Sequence, residues 1–125
     1  MLIEEYFQQI KQEVSKSYST VTSNIATDKR SLYLGIIEGK LIFLDGSELH
    51  FMEFVNVKTE INRYKYSYHY QDNSGVLIFR YDMAPHHKEV QTFPHHKHIV
   101  NGQVVDAAPP SLAEILEEIE QNVAP

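Results

Sequence analysis

From Leu2 to Val14 the apolar residues Ile3, Tyr6, Phe7, Ile10 and Val14 recur every three to four positions, the spacing of one face of a helix. Ser15 to Thr27 is polar and rich in Ser and Thr, and reads as a connection. From Leu32 to Tyr81 the pattern shifts to β-rich runs divided by turn signals. Asp45-Gly46 separates Leu41–Leu44 from Leu49–Val57, a hairpin signature. Asp72-Asn73-Ser74-Gly75 marks a second hairpin. In its first strand Tyr64, Tyr66, Tyr68 and Tyr70 alternate with Arg63, Lys65, Ser67, His69 and Gln71, so one face is aromatic and the other polar.

A turn centred on Asn73-Ser74 sets Tyr70 opposite Leu77, Tyr68 opposite Phe79 and Tyr66 opposite Tyr81. The polar face then pairs His69 with Ile78, Ser67 with Arg80, and Lys65 with Asp82, the last a cross-strand ion pair. Pro85 and Pro94 exclude a central strand, so a loop is expected to return into a short strand near His96–Val100. Pro109-Pro110 then breaks the chain before Ser111-Leu112-Ala113-Glu114, a capping box. Leu112, Ile115, Leu116, Ile119 and Val123 follow at helical spacing. The expected fold is α+β, with residues 1–125 a single domain. A curved antiparallel sheet of four to five strands would carry an N-terminal and a C-terminal helix on its apolar, aromatic face.

Composition narrows the chemistry. The chain lacks cysteine, which excludes disulfides, thiolate zinc sites and thiol catalysis. The longest apolar runs, Leu41–Leu44 and Val76–Phe79, are far too short to span a membrane. No basic segment leads an apolar one at the N-terminus, so no secretory leader is expected and the cytoplasm is the simplest compartment. A net charge of −6 argues against general nucleic-acid binding. The charge is uneven, however. Residues 58–98 hold six Lys or Arg against four acids and six of the seven histidines.

Five of those histidines, His86, His87, His95, His96 and His98, fall within 13 residues. On an extended segment His96 and His98 point to one side, His95 and Lys97 to the other. Metal binding is one reading: a His-x-His pair with another His or Asp82 offers imidazole and carboxylate donors to Zn²⁺, Ni²⁺, Mn²⁺ or Fe²⁺. Acid–base catalysis is another, because imidazole titrates near neutrality. Cleaving RNA at its own 2′-hydroxyl needs a base, an acid and cations to steady the phosphorane; Arg63, Lys65, Arg80, Lys88 and Lys97 could supply the cations. A structural reading has the rings bonded to backbone carbonyls and packed on Phe93. Glu53 falls on the same side of its strand as Leu49, Phe51 and Val55, which places it either at the sheet's edge or in a site, the edge being the simpler explanation.

The strings Asp45-Gly46-Ser47-Glu48-Leu49-His50-Phe51, Tyr68-His69-Tyr70-Gln71-Asp72, Phe79-Arg80-Tyr81-Asp82-Met83-Ala84-Pro85-His86-His87 and Thr92-Phe93-Pro94-His95-His96-Lys97-His98 resemble the TumE family of small prokaryotic proteins over roughly residues 30–120, as does Pro110-Ser111-Leu112. The chain departs at Met83, where the family favours Asn. The resemblance implies the toxin of a type II toxin–antitoxin pair, neutralised by a helix-turn-helix antitoxin and acting on RNA or translation.

Resemblance and residues together give a working expectation: a metal-independent ribonuclease without a cofactor, in the cytoplasm, acting on RNA that a ribosome could present. His69, His86, His87, His95, His96, His98 and Asp82 are its candidate catalytic residues. Lys65, Arg80 and Lys97 would hold phosphate. The alternative is a non-catalytic partner-binding module with a divalent metal, such as Zn, on Asp82, His96 and His98. No membrane partner is expected, and a homodimer is compatible with either.

Overall fold

The computed structural model describes residues 1–83 and 94–122. Its elements are α1 (Ile3–Lys16), β1 (Thr20–Lys29), β2 (Leu34–Phe43), β3 (Glu48–Asn56), β4 (Asn62–Gln71), β5 (Leu77–Met83), β6 (His95–Ile99), β7 (Val104–Asp106) and α2 (Leu112–Asn122). The strands form one antiparallel sheet in sequence order, β1 through β7.

The α+β class and the two helices agree with the sequence pattern, but the expectation of four to five strands is corrected to seven. β1 occupies the stretch read as a connection. It is an edge strand whose side chains are almost all exposed, so no hydrophobic alternation marks it. Thr20, Val21, Thr22, Ile25 and Thr27 still supply the branched side chains that favour a strand. β7 is three residues long, too short for any periodicity to register.

Both helices pack on one face. From α1, Ile3, Tyr6, Phe7, Ile10 and Val14 are buried; from α2, Leu112, Ile115, Leu116 and Ile119. They meet Ile37, Leu41, Leu49, Phe51, Val55, Tyr66, Tyr68, Tyr70 and Phe79 of the sheet in a single core. Gly35 is required by the fit of α1, since a Cβ there would lie 2.7 Å from the Phe7 ring. The start of α2 is closed by the anticipated capping box, with Glu114 N donating to Ser111 Oγ at 3.2 Å and Ser111 N donating to Glu114 Oε1 at 3.1 Å.

The β4–β5 hairpin keeps the expected faces and changes the partners. Tyr70 pairs with Phe79, Tyr68 with Tyr81, His69 with Arg80, and Ser67 with Asp82. The shift is two residues, so inward and outward sides are preserved. Its cause is the turn. Asp72 Oδ1 accepts bonds from Ser74 N at 2.8 Å and Val76 N at 2.9 Å, and Asp72 N donates to the Val76 carbonyl at 2.9 Å. Gly75 takes the positive φ of +84° that closes this wider loop. A bulge beside Gln71 absorbs the remainder. Lys65 therefore does not pair with Asp82; it is exposed on β4, opposite Phe54.

Candidate active site on the face opposite the helices

Register and alternation place two rows of mostly polar side chains across the sheet, on the face away from α1 and α2. One row runs Lys40, His50, His69, Arg80, His98, each opposite the next. The adjacent row runs Glu38, Met52, Ser67, Asp82, His96, Asp106. The two-residue shift of the second hairpin creates this alignment, because it sets Arg80 against His69 instead of Ile78.

Asp82 organises the centre. Its Oδ2 accepts a bond from Arg80 Nε at 3.1 Å. Its Oδ1 lies 2.6 Å from His96 Nε2 and 3.5 Å from His98 Nε2. The His96 and His98 rings meet edge to face with centroids 5.0 Å apart. His96 is fully buried, with its Nδ1 3.2 Å from the Pro94 carbonyl. A ring nitrogen beside a carbonyl carries the hydrogen, which directs Nε2 toward Asp82. Asp82 and His98 are only partly covered, and Arg80 is the most accessible of the group, with 37% of its side chain exposed.

On the other side of Arg80, the His69 Nδ1 lies 3.4 Å from Arg80 Nη1. Burial, and then the Arg80 charge, lower the proton affinity of His69 below the ordinary histidine value. His50 stands edge-on to His69 at 6.4 Å and is 3.1 Å from Glu48. From Arg80 toward β1 runs an open groove of about 600 Å³, lined by Lys40, His50, Met52, Ser67, His69 and Gln71 among others.

The structure thus brings together Asp82, His69, Arg80, His96 and His98, and it separates two other candidates from them. His95 and Lys97 lie on the helix-covered side. The His95 ring stacks on Tyr66 with its Nδ1 2.9 Å from the Tyr66 hydroxyl, and burial lowers its proton affinity. Lys97 donates to Glu118 at 3.1 Å and lies over the Tyr81 ring. His86, His87 and Lys88 lie outside the described residues, as does Phe93.

Sequence reasoning misplaced Glu53. It is buried in β3, paired with β2 on one side and β4 on the other, not at an edge. The Tyr6 and Tyr68 hydroxyls both donate to its carboxylate. Arg63 Nη1 donates to the Tyr68 hydroxyl at 2.7 Å and to the Pro110 carbonyl. Burial pushes the proton affinities of Tyr6 and Tyr68 well up and that of Tyr66 up to about 12. These phenols stay protonated at neutral pH and serve as donors. The legible signal was an inward carboxylate in a sheet whose inward face also carries several tyrosines.

A family model described as Toxin TumE matches residues 4–123, nearly the whole chain. The chain belongs to the TumE toxin family. Membership carries a toxin role and, with it, an antitoxin partner. No curated protein and no solved structure matches the chain. Among the described residues no helix is long and apolar enough to cross a membrane.

Proposed function

We propose that this toxin cleaves RNA on the face opposite the helices, by imidazole acid–base chemistry around Arg80 and without a metal ion. The observation that carries the reading is the His69–Arg80–His98 row, two imidazoles flanking one accessible guanidinium. His69, kept neutral by burial and by Arg80, takes the proton of a ribose 2′-hydroxyl. The 2′-oxygen attacks the adjacent phosphorus, and the guanidinium stabilises the charge that develops on the phosphorane. His98, positioned by Asp82, protonates the departing 5′-oxygen. The products are a 2′,3′-cyclic phosphate and a free 5′-hydroxyl.

The groove beside Arg80 gives single-stranded RNA a path. Lys40 supplies a second cation there, and Met52 an apolar surface for a base. The −6 charge is overcome locally, or by a ribosome that presents the RNA in the cytoplasm. In this reading the antitoxin is a helix-turn-helix protein that neutralises the toxin by laying acidic groups over Arg80 and its neighbours.

Expression of the wild type should arrest growth and generate RNA ends bearing cyclic phosphate. The variant His69→Ala with His98→Ala, shown folded by circular dichroism, should do neither. Equal arrest and equal RNA degradation by the two proteins would dispose of the reading.

A further inference from the structure

We infer that Asp82, His96 and His98 form a binding site for one divalent transition-metal ion, with Zn²⁺ the best fit. This goes beyond RNA cleavage and does not depend on it. One donor atom from each residue lies within 4.8 Å of the other two, and all three side chains lie on the same side of β5 and β6. Tetrahedral zinc with bonds near 2.0–2.1 Å sets its donors about 3.3 Å apart. The separation of 3.5 Å between Asp82 Oδ1 and His98 Nε2 already matches. The 2.6 Å approach of His96 Nε2 to the same oxygen needs to open by roughly 0.7 Å to reach that spacing.

The surroundings have the arrangement that supports metal ligands. The Pro94 carbonyl beside His96 Nδ1 fixes the tautomer in which Nε2 presents a lone pair. A lone pair 2.6 Å from a carboxylate oxygen is repulsive unless a cation is shared between them. A metal ion bound between them would serve that purpose. Arg80 bonds to Oδ2 of Asp82, which leaves Oδ1 for the ion. Imidazole and carboxylate donors suit zinc and its transition-metal neighbours, whereas magnesium prefers oxygen and water. Three protein ligands leave a fourth position for water or substrate.

Occupancy has a consequence for the chemistry. The His98 Nε2 lone pair can hold a proton or a metal ion, but not both, so the zinc-loaded form loses the proposed acid. The test uses full-length untagged protein, stripped with chelator and titrated with Zn²⁺ by calorimetry, followed by elemental analysis after dialysis. The expected result is one zinc per chain, no comparable uptake of Mg²⁺, and affinity lowered at least a hundredfold by Asp82→Asn or His98→Ala. His50→Ala, removed from the three donors, should leave binding unchanged. Because His96 is buried and its truncation would disturb folding, the two partly exposed ligands carry the test. Absence of stoichiometric zinc on folded protein, or zinc that survives His98→Ala or departs with His50→Ala, overturns the inference. An RNA assay on the same samples separates the two proposals. Cleavage inhibited by one equivalent of zinc supports both, while cleavage that requires zinc supports the metal site and removes the metal-free mechanism.

Discussion

Strands β4, β5 and β6 build two different environments from alternate residues. Toward the helices, Tyr66, Tyr68, Tyr70 and Phe79 are buried, and Glu53 of the neighbouring β3, buried with them, has two phenols bonded to it. Away from the helices, Ser67, His69, Arg80 and His98 stay partly accessible, and Arg80, His96 and His98 converge on Asp82. The first face gains its energy from desolvated rings and satisfied hydrogen bonds. The second keeps ionisable groups close together where solvent and a substrate can reach them. The difference shows that strand alternation alone can divide a buried, bonded face from an accessible, ionisable one, and that a residue's parity decides to which of the two it belongs.

That division is testable because it assigns opposite phenotypes to neighbouring residues. The largest effect belongs to the accessible face. His69→Ala should lower RNA cleavage by a hundredfold or more and change unfolding free energy by less than about 1 kcal/mol; single-turnover kinetics and denaturant melts check both. A large loss of stability would make His69 a packing residue instead. Glu53→Ala should have the converse character. It leaves two buried hydroxyls without an acceptor and should cost about 3 kcal/mol, read as a lower urea midpoint. Any cleavage defect should disappear where the variant is fully folded.

Since burial and the Arg80 charge hold His69 below the ordinary histidine value of 6.5, its NMR titration should fall on the acid side of that value. Besides Arg80, the groups facing it are His50, which also lowers its proton affinity, and Gln71, which raises it. Replacing Arg80→Met removes a positive neighbour, so the titration should move upward. The stability sign follows from linkage. The folded form binds this proton less readily than the unfolded chain, so the contribution is present above the ordinary value and is lost as pH falls through the depressed one. The smallest effect belongs to the cap of α2. Ser111→Ala should cost about 1 kcal/mol and leave RNA cleavage unchanged.

Much of this arrangement was legible in the chain. The 3–4 spacing of Ile3 to Val14 and of Leu112 to Ile119 located both helices, and the tyrosine alternation identified the aromatic face of β4. Alternation around His96-Lys97-His98 also separated those histidines from His95 and Lys97, as the structure does. The register was not legible, because Asp72 can close turns of different lengths and a shift of two residues leaves both faces in character. That shift decides that Arg80 meets His69. β1 was missed because an exposed edge strand has no buried side to imprint a pattern. Glu53 was misread because its partners, Tyr6 on α1 and Tyr68 on β4, come from elements whose approach no local spacing encodes.

If the reactive groups reside on the face away from the helices, two neighbours on β6 must behave differently. RNA cleavage should be measured for two folded variants of adjacent residues, His98→Ala and Lys97→Met. A loss of at least a hundredfold is expected for His98→Ala, and a rate within about threefold of wild type for Lys97→Met, whose ammonium is held by Glu118 on the covered side. A wild-type rate for His98→Ala, or a comparable collapse for Lys97→Met, would contradict it.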